Sequence, residues 1–139
     1  MASIQASIGK YFIRQLRNRS KSYANNLEVV RIEQDKALSR IRPPKNVQFE
    51  SISFEHFTAE WTKPTGNSAL KYSDNVILYL HGGGYAVGSA ESHRGLVGKI
   101  VADSGIKALS VNYRLAPEFP FPAGLEDSFL VYQWLIESI

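Results

Sequence analysis

The ten residues VILYLHGGGY, positions 76–85, decide the fold of this chain. Five consecutive apolar residues, Val76 to Leu80, are typical of a strand that is covered on both faces in a largely parallel sheet. Three glycines follow after His81, and a backbone without Cβ atoms can bend sharply and present its N–H groups at the carboxyl end of the strand. The stretch therefore predicts an α/β fold with a candidate site where this strand ends.

The residues that follow predict the order strand, helix, strand, helix. A helix is predicted from about Ser92 to Asp103, where Gly105 would end it, and the next strand from Lys107 to Tyr113. A final helix is predicted after Pro122, which suits a first helical turn. The residues expected to face inward are Leu96, Val97, Ile100 and Val101 on the first of these helices and Leu125, Phe129, Tyr132 and Ile136 on the second. This alternation is the βαβ pattern of a parallel sheet with right-handed crossovers.

Helices and a hairpin are predicted upstream of the glycines. Apolar residues recur at helical spacing from Ala2 to about Arg19 and from about Leu27 to Ile41, and a proline pair ends the second stretch. Val47 to Phe54 and His56 to Thr62 have the pattern of strands with one buried face. We expect these two strands to pair as a hairpin.

The composition is that of one ordinary soluble domain: 139 residues, of which 44% are hydrophobic and 21% are charged. There is no cysteine, which excludes disulfides, thiolate metal sites and a cysteine nucleophile. A cysteine-free chain suits a reducing compartment, so we expect the protein in the cytoplasm. Residues 1–10 lack the continuous apolar run of a signal peptide, and export is not expected.

Positive charge is concentrated in residues 1–50, which hold ten Lys and Arg against four Asp and Glu, whereas residues 51–139 hold six against nine. The basic residues near the N-terminus, which lie among apolar ones, are Lys10, Arg14, Arg17, Arg19 and Lys21. Such a stripe could contact an anionic membrane or nucleic acid. Ordinary amphipathic surface helices are far commoner, so we expect no nucleic-acid partner and do not favour membrane contact through this helix.

The glycine run after His81 has a specific chemical use. Backbone N–H groups that are fixed before a reaction can stabilise negative charge on a carbonyl oxygen during acyl transfer, by roughly 3 kcal/mol per donor. Such a set of donors is an oxyanion hole. A tight turn without a chemical role explains an isolated glycine run equally well, so the interpretation depends on the rest of the sequence.

Three further motifs follow HGGG at 81–84, namely YRLAPE at 113–118, FPA at 121–123 and ED at 126–127. In this order and spacing, from about Arg42 to Trp134, the chain resembles the hormone-sensitive-lipase family of α/β-hydrolases, in which HGGG belongs to the oxyanion-hole loop. The resemblance implies the N-terminal part of the α/β-hydrolase fold, a β hairpin followed by parallel βαβα and preceded by cap-type helices. It divides the chain into a helical N-terminal cap segment, residues 1–45, and an incomplete hydrolase core, residues 46–139.

The resemblance also assigns roles within the loop. The oxyanion-hole donors would be the backbone N–H groups of Gly83 and Gly84, with Gly82 shaping the turn and His81 steadying the loop through hydrogen bonds. The family relation implies a small-molecule ester as the substrate in the longer protein and no cofactor. The glycine spacing does not match a dinucleotide or phosphate loop, so nucleotide binding is not expected.

The remaining polar residues of interest are interpreted as structural. Arg114 and Glu118 are expected to form an ion pair that braces the loop, and Asp127 to support it. His56 and His93 stand alone, without a carboxylate or a second histidine at the spacing of a metal site, so neither is assigned to a metal. His93 is expected to pack or to start the following helix.

The catalytic triad of such enzymes is not found in this sequence. The family's serine lies in a Gly-x-Ser-x-Gly turn on the strand after the final helix, and its acid and histidine follow later. The nearest imitation here, Gly66-Asn67-Ser68, lacks the second glycine and precedes the HGGG loop. Because a serine, a base and an orienting carboxylate must meet to activate the hydroxyl, we expect the 139-residue chain to be inactive alone.

The resemblance predicts an open edge on the sheet. The family's strand order is 1-2-4-3-5, so the strand from Val76 to Leu80 would lack one neighbour here. Unpaired backbone groups and apolar side chains at such an edge promote association, and self-association of the chain is expected. The second hypothesis is therefore a non-catalytic remnant that binds a partner through this edge, or a membrane through its basic first helix.

Overall fold

The computed structural model describes residues 26–66 and 74–138. The helices and strands in these ranges, numbered in chain order, are α1 (Leu27–Leu38), β1 (Val47–Ser53), β2 (Thr58–Pro64), β3 (Val76–Leu80), α2 (Arg94–Ser104), β4 (Lys107–Asn112) and α3 (Ala123–Ser138). Each element expected from Leu27 onward is present, with ends shifted by at most three residues. The helix expected from Ala2 to Arg19, with its basic residues, lies outside the described residues. The sheet, α2 and α3 belong to one compact unit that begins at Gln34.

The four strands form one mixed sheet in the order β1-β2-β4-β3. β1 and β2 pair antiparallel, as expected for a hairpin, and β2 pairs antiparallel with β4. β3 and β4 pair parallel, with Leu78 opposite Leu109, so the chain through α2 is the crossover of a βαβ unit. On its other side, β3 pairs with no strand among the described residues, which leaves the open edge that the sequence predicts.

Apolar side chains cover both faces of the sheet, because successive residues of a strand point to opposite faces. The core cluster on one face joins β4 to α3, and its buried members include Leu109, Val111, Val131 and Leu135. The cluster on the other face joins β4 to α2 and consists of Val97, Val101 and Ala108. β3 contributes to both, since Leu78 packs against the first cluster and Ile77 against the second. The sheet is thus the middle layer of an α/β arrangement.

α2 approaches the segment after α1 so closely that only glycine fits at one position. A Cβ on Gly95 would lie 2.1 Å from the carbonyl oxygen of Ile41. The helix ends where the sequence predicts, at Gly105, whose left-handed φ of 71° lets its N–H bond to the carbonyl of Val101. Val101 is buried as expected, but Leu96 is 48% exposed, because the face turned to the sheet is the one with Gly95 and Val101.

The apolar stripe expected to be buried on α3 is exposed in the structure, so that assignment was wrong. Its members are Leu125 (54% exposed), Phe129 (56%), Tyr132 (51%) and Ile136 (61%). The buried face consists of Ala123, Gly124, Asp127, Val131 and Leu135. Both sets recur at helical spacing, so periodicity cannot choose between them. The start of α3 decides which face is buried. A Cβ on Gly124 would already lie 3.1 Å from the Arg114 carbonyl oxygen, so this position has room only for a small residue.

Two residues of the exposed stripe, Tyr132 and Ile136, lie along one groove with the open edge of β3. The groove has a volume of about 490 Å³, and its apolar lining includes Val76, Ile77 and Leu78 of β3 and Tyr132, Leu135 and Ile136 of α3. A continuous exposed apolar surface on a soluble protein commonly marks a contact surface. This groove is therefore a described surface suited to bind further polypeptide.

Alanine substitutions at Val131 and Ile136 test which face of α3 is buried. Val131→Ala removes two methyl groups from a fully buried position, so we expect the free energy of unfolding to fall by about 2 kcal/mol. Ile136→Ala, the control on the exposed face, is expected to change it by less than about 0.5 kcal/mol. Urea unfolding of dilute protein, followed by tryptophan fluorescence, measures both. Equal losses, or a larger loss for Ile136→Ala, would contradict the assignment.

Candidate active site

The HGGG loop begins where β3 ends and turns back tightly on itself. The carbonyl oxygen of Gly83 accepts hydrogen bonds from the N–H groups of Ala86 and Val87, both at 3.2 Å. Gly83 has a φ of 129° and Gly84 a φ of 62°, conformations that residues with a side chain rarely adopt. At Gly83 a Cβ would also lie 2.0 Å from the carbonyl oxygen of Val87. The turn therefore requires glycine at this position.

The backbone N–H groups of Gly83 and Gly84 are the donors that the family resemblance assigns to an oxyanion hole. Across residues 26–66 and 74–138, neither amide donates to a protein acceptor. The glycines of the loop line a cleft of about 290 Å³, and its other lining residues are Leu80, His81, Tyr85, Tyr113, Leu125 and Ser128. Two unbonded backbone donors in a loop that borders an open cleft are what an oxyanion hole requires.

An apolar cavity shares Tyr85 and Leu125 with this cleft. Its volume is about 350 Å³, and its lining also includes Arg114, Ala116, Phe119, Phe121, Pro122 and Gly124. The ring of Phe121 is 85% exposed and available for contact. A largely apolar cavity beside a few oriented polar groups is typical of sites that bind small molecules.

His81 is buried, with 4% of its surface exposed, and holds the start of the loop. Its Nδ1 lies 2.9 Å from the carbonyl oxygen of Gly82, which can only accept, so Nδ1 has the proton. Its ring stacks on Tyr113 with 4.3 Å between centroids, and the Tyr113 hydroxyl donates to the His81 carbonyl oxygen at 2.6 Å. Burial lowers the pKa of His81, which keeps the ring neutral near pH 7. Burial also raises the pKa of Tyr113, which keeps its hydroxyl protonated.

An ion pair between Arg114 and Asp127 braces the segment that follows β4. The buried Asp127 carboxylate accepts from the Arg114 backbone N–H at 2.8 Å and from its guanidinium Nη2 at 2.7 Å. These hydrogen bonds raise the pKa of Arg114. The sequence suggested Glu118 as the partner; Asp127 takes that place because α3 brings it back from thirteen residues away. Ala116 N–H then donates to the Tyr85 carbonyl oxygen at 2.8 Å, which joins the braced segment to the glycine loop.

The other two histidines make local contacts within the described part of the chain. His93 directly precedes α2, its Nδ1 lies 3.0 Å from the Ser89 carbonyl oxygen, and its ring stacks on that of His81 with 5.7 Å between centroids. These contacts agree with a packing role at the start of the helix. His56 is exposed and lies 3.6 Å from Glu55.

Within the described ranges, no group of three potential ligands is placed to hold a metal ion. No helix described there is long and apolar enough to cross a membrane.

Comparison with known proteins identifies the fold. A family described as alpha/beta hydrolase fold matches residues 77–139. The structure also matches the crystal structure of an esterase from the bacterial hormone-sensitive lipase family, with a TM-score of 0.72 and 35% identity over 81% of this chain and 37% of that one. The chain belongs to the alpha/beta hydrolase fold family, in its hormone-sensitive-lipase group. The chain also matches the crystal structure of a hormone-sensitive lipase from a metagenome library. The TM-score is 0.72 and the identity 27%, over 90% of this chain and 42% of that one.

Curated relatives of this alpha/beta hydrolase are named as ester-cleaving enzymes. An acetyl-hydrolase of Streptomyces hygroscopicus is 40% identical over 96 residues, which are 69% of this chain and 29% of that protein. An ethyl acetate hydrolase of Pseudomonas putida is 46% identical over 63 residues, 45% of this chain and 20% of that protein. The chain thus spans well under half the length of the relatives it matches. The family and fold expected from the HGGG and YRLAPE motifs are confirmed.

Alanine substitutions at Gly83 and Gly82 test how strictly the turn depends on glycine. Gly83→Ala would place a Cβ 2.0 Å from the Val87 carbonyl oxygen. The turn must then open, and we expect amide hydrogen exchange at Ala86 and Val87 to accelerate at least about tenfold. Gly82→Ala is the matched control, because a Cβ there meets nothing within 4 Å, and exchange should change less than about twofold. Slow exchange at Ala86 and Val87 in Gly83→Ala would show that the turn is not built as described.

Proposed function

We propose that this chain is the oxyanion-hole part of a serine carboxylic ester hydrolase. The backbone N–H groups of Gly83 and Gly84 bind the carbonyl oxygen of an acyl ester as negative charge develops on it. The observation that supports this most directly is that both amides lack a protein acceptor in the described structure and belong to a loop that lines an open cleft. His81 supports the donors by holding the start of the loop, where its Nδ1 donates to the Gly82 carbonyl oxygen.

The two donors act by being fixed before the reaction. A loop that is already closed by hydrogen bonds to the Gly83 carbonyl does not have to reorganise when the ester carbonyl becomes tetrahedral. Loss of one such donor typically lowers the rate by about a hundredfold to a thousandfold. His81 is not the base in this scheme, because its Nδ1 proton is bonded to Gly82 and its ring is buried.

The substrate is a small-molecule ester with a short or medium acyl group. The apolar cavity that shares Tyr85 and Leu125 with the cleft provides a surface for its hydrocarbon part. The relatives named as acetyl-hydrolase and ethyl acetate hydrolase also favour small esters. The chemistry requires no cofactor, because charge is stabilised by backbone donors. A cytoplasmic location remains a prediction from the cysteine-free sequence.

In this proposal, another part of the longer protein supplies the serine, the acid and the catalytic histidine. The 139-residue sequence has no Gly-x-Ser-x-Gly turn, and its relatives are more than twice as long as the segment they share with it. The chain would therefore supply the oxyanion hole to a longer protein and be inactive by itself. Residues 1–45 remain assigned to a cap segment and residues 46–139 to the incomplete core.

A chimera tests the proposal. Residues 46–139 replace the corresponding segment of the Streptomyces hygroscopicus acetyl-hydrolase, which supplies the rest of the fold. We expect the chimera to hydrolyse p-nitrophenyl acetate, and Gly83→Ala within it to lower kcat at least about a hundredfold because the donor is displaced. The parent enzyme is the positive control, and the chimera with its nucleophilic serine changed to alanine is the negative one. A folded chimera without esterase activity would contradict the proposal.

A second candidate function is binding without catalysis, and the groove between β3 and α3 favours it. The unpaired edge of β3 and the exposed residues Phe129, Tyr132 and Ile136 form an apolar surface suited to another polypeptide. A remnant of an esterase could use this surface to bind a protein partner or a second copy of itself. Membrane contact through the basic N-terminal segment is the less favoured variant.

The isolated chain is expected to self-associate and to hydrolyse no p-nitrophenyl acetate. Sedimentation at increasing concentration should show species larger than the monomer, and Ile136→Lys should reduce them because it places a charge in the groove. Glu137→Lys, on the same helix and exposed, is the control for charge alone. Ester turnover by the purified chain would contradict its inactivity, and a chain that stays monomeric at every concentration would contradict association through the open edge. Co-sedimentation with anionic liposomes would favour the membrane variant.

A further inference from the structure

Tyr85 has a backbone conformation that is rare for a residue with a side chain. Its φ is 59°, and no other non-glycine residue in the ranges 26–66 and 74–138 has a positive φ. Glycine adopts this conformation without strain, whereas a bulky residue does not. Such strain persists only where the surroundings impose it, and it is concentrated at functional sites. The conformation therefore indicates that a ring has a role at this position.

The surroundings hold both the backbone and the ring of Tyr85. Its carbonyl oxygen accepts a hydrogen bond from the Ala116 N–H at 2.8 Å. Its ring is tilted by 53° against the ring of Tyr113, with 5.9 Å between the centroids. A Cβ on Gly124 would lie 3.5 Å from Cδ1 of the Tyr85 ring, which is an ordinary contact distance. The ring therefore lies close both to the segment after β4 and to the start of α3.

This place is the boundary between the two spaces described above. Tyr113 lines the cleft of about 290 Å³ beside the glycine loop, and Gly124 lines the apolar cavity of about 350 Å³. Tyr85, which approaches both of these residues, lines both spaces, and Leu125 is the other residue that they share. The ring thus stands between the cleft, where the ester carbonyl would bind, and the apolar space next to it.

We propose that Tyr85 determines the length of the acyl group that the site accepts, because its ring narrows the passage from the cleft to the apolar cavity. A short acyl group fits within the cleft. A longer one must pass the ring to reach the cavity, and the fixed backbone of Tyr85 leaves the ring little freedom to move aside. The inference rests on the proposed function for the identity of the substrate, an acyl ester.

Two substitutions of Tyr85 test this role in the chimera with the Streptomyces hygroscopicus enzyme. Tyr85→Asn removes the ring and suits a left-handed backbone, so the loop should keep its shape. We expect the ratio of kcat/KM for p-nitrophenyl hexanoate to that for p-nitrophenyl acetate to rise at least about tenfold, because the longer chain gains apolar contact in the joined space. Tyr85→Phe is the matched control, because it keeps the ring, and it should change this ratio less than about twofold.

A binding measurement gives a second readout that does not depend on ester cleavage. The chimera with its nucleophilic serine changed to alanine is titrated with hexanoate and with acetate, and NMR shifts report the Kd of each. We expect Tyr85→Asn to lower the Kd for hexanoate at least about fivefold and to change that for acetate less than about twofold. Leu125→Ala widens the same boundary from α3 and should act in the same direction, so the test remains informative if Tyr85→Asn does not fold.

The outcomes separate this proposal from the one on function. An active chimera in which Tyr85→Asn leaves both the hexanoate-to-acetate ratio and the hexanoate Kd unchanged would overturn the role of Tyr85 and leave the esterase proposal intact. An equal shift in Tyr85→Phe would show that the hydroxyl, and not the ring, is responsible, and would also overturn it. A chimera that cleaves no ester but shows the expected change in hexanoate binding would support the role of Tyr85 and contradict the esterase proposal.

Discussion

The hydrogen bonds from Ala86 and Val87 to the carbonyl oxygen of Gly83 hold the HGGG loop in a shape that leaves two neighbouring amides unbonded. An unsatisfied backbone donor costs about 1 to 3 kcal/mol when it is buried, so such a shape is stable only where water or a ligand can reach it. The cleft lined by the glycines meets this condition. The same constraint explains why the turn tolerates no side chain at Gly83, where backbone approaches backbone most closely.

The rest of the fold keeps this turn in place. β3 and β4 are parallel neighbours, so the segments that follow them begin at the same edge of the sheet. His81 after β3 and Tyr113 after β4 stack there, and the Tyr113 hydroxyl bonds to the His81 carbonyl. The bond from Ala116 to Tyr85 joins the two segments a second time. The apolar clusters on both faces of the sheet thus support a polar network at its edge.

Local signals predicted most of this arrangement. The apolar run before the glycines, the stop at Gly105 and the hairpin pattern each depend on residues close in sequence, and all three were correct. The buried face of α3 was not predicted, because two apolar stripes share the helical period and the small residue Gly124 decides between them. The pairing of Arg114 with Asp127 depends on a contact between residues thirteen positions apart, which spacing alone does not reveal.

The central claim is that the Gly83 and Gly84 amides receive the developing negative charge of an ester. Its most direct measurement is a crystal structure of the chimera after its serine has reacted with a p-nitrophenyl phosphonate, whose phosphoryl oxygen mimics the tetrahedral intermediate. The account predicts that this oxygen lies about 2.7 to 3.1 Å from both amide nitrogens. An oxygen bound by other donors, with the two amides turned away from it, would contradict the account.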